Sequence, residues 1–158
     1  MAKLHDFDAR VEWTGNRGEG TAHYKAYDRN WEVTTPGKPP IQCSNDPLLG
    51  GDPGLHNPED MLIAALSACH MLWFLHLASE AGIVVQSYVD DPVGHGESTP
   101  DGAGQFVAAT LRPRIAVNAG ADTALADDIH HKIHKVCFIA RSVNFPVRYE
   151  PRYTFVTS

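Results

Sequence analysis

The stretch NPEDMLIAALSACHMLWFLHLASEAG, residues 57–82, decides the reading of the chain, because start, stop and face signals for one long helix all lie within it. Asn57 is a favoured N-cap, and Pro58 sits at the first helical position, where its missing N–H costs nothing. Glu59 and Asp60 stand at the positive end of the helix dipole, and Gly82 closes the helix as a left-handed C′ residue. At ~1.5 Å per residue the helix spans roughly 36 Å, which makes it the central element of a chain this size. From Met61 to Leu77 the apolar residues fall on nearly all sides rather than in one stripe, the pattern of a helix covered all round. Cys69 lies in its middle.

Upstream of this helix, Ala9, Val11 and Trp13 alternate with polar neighbours, as do Ala22, Tyr24 and Ala26, and Trp31 and Val33 follow an Asp28-Arg29-Asn30 turn signal. Three short antiparallel strands are expected. Residues 34–56 are dense in Pro and Gly and read as one loop of about 20 residues, a length that tends to be functional or to cover something. Downstream, residues 83–91 are rich in Val and Ile and read as a strand. Val107, Ala109, Leu111, Pro113, Ile115 and Val117 share one parity and predict a half-buried strand, with Pro113 at an edge or bulge and Pro100-Asp101-Gly102 turning the hairpin. A second helix is expected over about 122–142, with Leu125, Ile129, Ile133, Cys137 and Ala140 on its buried face. Val147, Tyr149, Tyr153 and Phe155 alternate in a last strand. The order is βββ-α-ββ-α-β, an α+β pattern with mainly antiparallel strands, read as a single domain over 1–158.

Composition narrows the function classes. A hydrophobic content of 43% with 20% charged residues is that of a soluble globular protein. The formal net charge of -6, with no Lys/Arg cluster, argues against nucleic acid as a partner. The first residues, MAKLHDFDARVEWTG, carry no apolar targeting segment, and the apolar run 61–77 is short and interrupted by Ser67, His70 and His76. A cytoplasmic protein with no membrane role is expected. Three cysteines in such a chain suggest reactive or buried thiols rather than a disulfide framework.

Cys69 and Cys137 sit on the inner faces of the two long predicted helices. Singly, each reads best as a small buried hydrophobe. Together, on helices that pack against each other, they fit a redox couple. Cys43, in the Pro/Gly loop, reads as incidental.

Asn57-Pro58-Glu59-Asp60 followed by Ser67-Ala68-Cys69, then Cys137-Phe138-Ile139-Ala140-Arg141 with Pro146-Val147 behind it, closely resembles the OsmC/Ohr family of thiol-dependent hydroperoxide reductases. The resemblance covers nearly the whole chain and implies an intertwined homodimer with the long helices at its centre. It implies Cys69 as the peroxidatic and Cys137 as the resolving cysteine, Glu59 as the active-site glutamate and Arg17, in the GNRGEG turn, as the active-site arginine. Arg10 and Arg29 lie close to Arg17 in sequence and remain alternatives. Organic hydroperoxides are the implied substrates and an external dithiol, such as a lipoylated protein, the implied reductant; no cofactor is implied.

The chemistry suits these residue types. A thiol of pKa ~8.5 is mostly protonated at neutral pH, and a guanidinium held by a carboxylate favours its thiolate. Ten residues separate Glu59 from Cys69, so one straight helix holds them ~15 Å apart. An active site shared between two antiparallel copies is therefore expected. Leu66, Met71, Leu72, Trp73 and Phe74 read either as an apolar wall favouring organic peroxides or as core. The alternatives are a family member that keeps the fold as a non-enzymatic binding or stress protein, and a metal site on His130 and His134, spaced i, i+4, completed by cysteine. A solvated face carrying Asp127, Asp128, His131, Lys132 and Lys135 is the simpler reading of that helix.

Overall fold

A computed structural model describes residues 3–157, which form two compact units, one ending at Met61 and the other beginning at Leu62. The element joining them is α1, Pro58–Glu80. Its ends follow the sequence signals closely. The Asp60 N–H donates to Asn57 Oδ1 at 2.8 Å while the Asn57 N–H donates to Asp60 Oδ2 at 3.3 Å, a reciprocal capping box with Asp at the third helical position. At the other end Gly82 has φ +74°, its N–H donates to the Ser79 carbonyl, and the Ile83 N–H reaches back to the Ala78 carbonyl at 2.8 Å, a Schellman closure.

In the N-terminal unit, β1 (Arg10–Trp13), β2 (Trp31–Thr34) and β3 (Ile41–Cys43) form an antiparallel sheet in that order. Two expectations are corrected. Residues 22–26 form turns, not a strand, because Asn16 Oδ1 accepts the N–H groups of Gly18 and Gly20 and both glycines adopt positive φ, 115° and 57°. These local bonds displace the ladder. The third strand instead lies inside the predicted loop. There Ile41 pairs with Val33, and a 3₁₀ turn, Pro47–Leu49, capped by Asp46, follows. Ser44, fully buried, organises this segment: its Oγ donates to Asn30 Oδ1 and accepts from the Asp52 N–H, and its carbonyl accepts from the Trp31 indole.

The C-terminal unit carries β4 (Val85–Asp90), β5 (Val93–Ser98), β6 (Gly104–Leu111), β7 (Pro113–Asn118), then α2 (Thr123–Ile133), β8 (Val147–Tyr149) and β9 (Arg152–Val156). The predicted strand over 83–91 continues beyond a break as β5, a segment the sequence reading missed, and the 107–117 and 147–155 strands are each broken in two. Antiparallel β5·β6 and β4·β7 pairs are flanked by parallel β6·β8 and β7·β9 pairs. The breaks coincide with Asp91-Pro92, Arg112-Pro113 and Glu150-Pro151. A proline cannot donate to a ladder, so three of them at one level divide the sheet there. The breakpoint is bound by side chains: Asp90 Oδ1 accepts the Arg112 N–H, Arg112 Nε donates to the Asp91 carbonyl, and Arg114 pairs with the Asp91 carboxylate.

Two further expectations are corrected. The second helix ends at Ile133, nine residues short of the predicted end. Lys135 and Val136 N–H groups turn back to the carbonyls of Lys132 and Ile133, i→i−3 bonds that tighten and end the helix, and a 3₁₀ turn, Ala140–Ser142, follows. Cys137 is thus in the turn after α2, though buried as expected. The central helix is not covered all round either: it buries Leu66, His70, Phe74 and Ala78, every fourth residue, while Leu72 remains 63% exposed. By length and composition alone α1 would suffice to cross a membrane. Here its buried stripe joins Ala126, Ile129 and Ile133 of α2 and Ala109, Ile115 and Val117 of the strands in one core.

Candidate active site

Within the C-terminal unit, Cys69 and Cys137 meet with their Sγ atoms 2.8 Å apart, both as free thiols. Cys69 is placed by the fourth turn of α1, half-buried beside the His70 stripe. Cys137 is held from behind, its own N–H donating to the Ile133 carbonyl at 2.8 Å and its Sγ accepting the Ala140 N–H at 3.4 Å. Burial, and then the hydrogen bond with Cys69, push the Cys137 thiol up to about 11, against the smaller opposing effect of the Ala140 N–H. Cys137 is thus buried with its thiol form favoured, while Cys69 is partly exposed.

The other two predicted site residues lie in the N-terminal unit. Arg17 donates from Nε to the Ala26 carbonyl at 3.2 Å and from its terminal nitrogen to the Lys25 carbonyl, and it pairs with Asp28 at 3.3 Å. Glu59 is exposed on the first turn of α1 and makes no hydrogen bond or ion pair among the described residues. The two are not brought together as a pair within this unit. The alternatives are occupied as well: Arg10 pairs with Glu12, and Arg29 lies over the Tyr24 and Tyr27 rings, donating to both of their carbonyls. Cys43 is buried with its Sγ 3.5 Å from Met61 Sδ.

The apolar residues around Cys69 separate into two groups. Leu66 and Phe74 are fully buried core, whereas Met71 and Trp73 are half-buried and Leu72 is exposed. Only the latter group is positioned to meet a solute.

Histidines form a feature that sequence reading missed. His70 Nε2 and His130 Nδ1 are 2.7 Å apart, with ring planes within 9° of each other, and both side chains are buried. Burial pulls His70 down to about 4 and His130 to about 3, the latter also through His70 and His131. The burial of His70 follows from its place on the 66-70-74-78 stripe, but nothing in the sequence joins it to His130. His134 caps the end of α2 and is exposed, and no group of three His, Cys, Asp or Glu suited to a metal occurs among the described residues. Asp127, Asp128, His131, Lys132 and Lys135 are exposed, as a solvated face requires.

An α+β fold that brings two free thiols from distant parts of the chain into contact defines a class of dithiol proteins. Residues 51–151 match the family model described as OsmC-like protein, and the chain belongs to that family. No curated protein matches the sequence. Among solved structures, an OsmC-like protein of unknown function from Vibrio cholerae shares 29% identity at a TM-score of 0.84, with 94% of this chain and 100% of that chain covered. The fold is also that of an organic hydroperoxide resistance protein from Elizabethkingia anophelis, at 19% identity and a TM-score of 0.68, covering 99% of this chain and 100% of that one. The organic hydroperoxide resistance protein OhrB of Bacillus subtilis is similar at 20% identity and a TM-score of 0.61, with 92% and 98% covered.

Proposed function

We propose that the protein is a cysteine-based peroxidase that reduces organic hydroperoxides to alcohols. The observation that supports this reading most is the 2.8 Å approach of Cys69 and Cys137, in a family whose fold includes proteins of organic hydroperoxide resistance. The Cys69 thiolate attacks the hydroperoxide, the O–O bond breaks, the departing alkoxide takes a proton to become an alcohol, and Cys69 is left as a sulfenic acid. Cys137 then attacks that sulfur. An S–S bond forms, the S–O bond breaks, and the hydroxide leaves as water with the Cys137 proton. An external dithiol, of which a lipoylated protein is the class suggested by resemblance, returns two electrons and two protons. Such a cycle suits a reducing, cytoplasmic setting.

Resemblance assigns Arg17 to favouring the Cys69 thiolate and Glu59 to orienting that guanidinium. Family members are typically dimeric, and a second copy is the natural cover for the faces of α1 that stay open, Leu62 and Leu72 among them. The half-buried Trp73, one turn beyond Cys69 on α1, favours an organic peroxide over hydrogen peroxide.

The test is steady-state consumption of cumene hydroperoxide and of hydrogen peroxide with dithiothreitol as reductant. The wild type is expected to consume the organic peroxide faster, and Cys69→Ser to fall to the buffer rate. A wild-type rate equal to that of Cys69→Ser would overturn the proposal.

A further inference from the structure

We infer that the buried contact between His70 and His130 is a positioning device that holds the Cys137 segment in register against Cys69. The inference rests on the reading of Cys69 and Cys137 as a redox couple. The helix α1 and the segment containing α2 are tied at two points, the Cys69 and Cys137 sulfurs 2.8 Å apart and the His70 and His130 nitrogens 2.7 Å apart. On α1 the two anchors are adjacent residues, pointing about 100° apart around the helix; on the other segment they are seven residues apart. Two ties so separated fix rotation as well as distance, which a single contact leaves free.

The histidine contact is directional. With ring planes within 9° and facing nitrogens 2.7 Å apart, the imidazoles meet edge to edge, one donating and the other accepting. The Phe74 ring stacks on His130 at 4.3 Å and 18°, and Tyr149 lies 5.7 Å from His70 and 5.8 Å from His130, so neither imidazole is free to swing.

Cys137 needs such a guide because it lies beyond the end of α2, where helical register no longer places it. The structure supplies a short mechanical path. His130 is in the last turn of α2, Ile133 ends that helix, and the Ile133 carbonyl holds the Cys137 N–H. Stability alone does not account for the pair. His130 Nε2 is buried with no hydrogen-bond partner among the described residues, and replacing both members of a buried polar pair by apolar groups is commonly neutral or stabilising. A costly directional contact in a core is best explained by the register it enforces.

Equilibrating the full-length protein in mixtures of oxidised and reduced dithiothreitol measures positioning without any peroxide. The Cys69–Cys137 S–S bond forms as the ring S–S bond of the oxidised reagent breaks, and the reagent takes the two electrons and two protons. The fraction of disulfide, read by thiol alkylation and mass spectrometry, gives the equilibrium constant.

In His70→Leu/His130→Leu, which leaves no orphaned nitrogen, we expect a folded protein whose constant is at least tenfold lower than that of the wild type. His130→Asn, which keeps a polar atom near the position of imidazole Nδ1, is expected to return to within threefold of the wild type. A double-leucine constant equal to the wild type, or an Asn variant no better than the double leucine, would overturn the inference. A wild type that forms no Cys69–Cys137 disulfide at any buffer ratio would instead remove the redox couple on which it rests.

Discussion

Acidification should weaken this fold through the two buried histidines, by an amount that can be worked out. A neutral imidazole buried in the fold cannot take the proton that it takes freely when unfolded. His70 is lowered to about 4 from an ordinary 6.5, so below pH 6.5 the unfolded state binds more protons and stability falls as pH falls, until the folded-state value is reached. Between pH 7.5 and pH 4 this costs about 3 kcal/mol from His70 alone, at about 1.4 kcal/mol per unit. His130, lowered to about 3, acts with the same sign, although the two share one contact and their losses do not add.

The groups around the pair do not offset this loss. Tyr88 and Tyr153 are neutral, their hydroxyls raised mainly by burial, and Asp127 is held by the Tyr153 hydroxyl at 2.9 Å. His131, bonded to Tyr149, works against a charge on His130. The assay is urea unfolding at pH 7.5, 6, 5 and 4 for the wild type and His70→Leu/His130→Leu, taking the difference so that carboxylates common to both cancel. The wild type should lose about 3 kcal/mol more than the double variant over this range. Equal losses would refute the argument that these imidazoles are buried and neutral.

Leu66→Ala removes a fully buried side chain at the centre of the core and should cost about 3 kcal/mol in the same unfolding assay. Gly82→Ala places a Cβ on a residue with φ +74° and should cost about 1 kcal/mol by the same measure; a neutral result would mean that the helix closure rearranges freely. In Cys137→Ser a sulfenic acid should persist on Cys69 after one equivalent of hydroperoxide, captured by a dimedone-type probe. In the wild type the disulfide-forming step should quicken roughly tenfold per pH unit, because the Cys137 thiol stands near 11 and only its thiolate attacks.

The helix at 58–80 was legible in the sequence because each of its signals is local: Asn57, Pro58 and Gly82 do what those residues do in any context. The second helix was overextended because Ile133, Cys137 and Ala140 keep a helical burial period after the helical backbone has ended. Apolar spacing reports which side chains are inside, not the path of the chain between them. The strand β5 was hidden for the opposite reason, since Gly94, Gly96 and exposed polar residues leave it no apolar alternation. Its partners, not its own sequence, make it a strand. The expectation that Cys69 and Cys137 face each other rested on two helix faces; their sulfurs do meet, but Cys137 does so from the turn beyond α2 rather than from a helix face. The histidine contact was not readable, because it joins residues sixty positions apart and no spacing rule connects them.

The most direct test of the account is a count of free thiols per chain under denaturing conditions, before and after one equivalent of an organic hydroperoxide, in the wild type and in Cys69→Ser. The account predicts a fall from three thiols to one in the wild type and no such fall in the variant. Three thiols remaining in the treated wild type would contradict it.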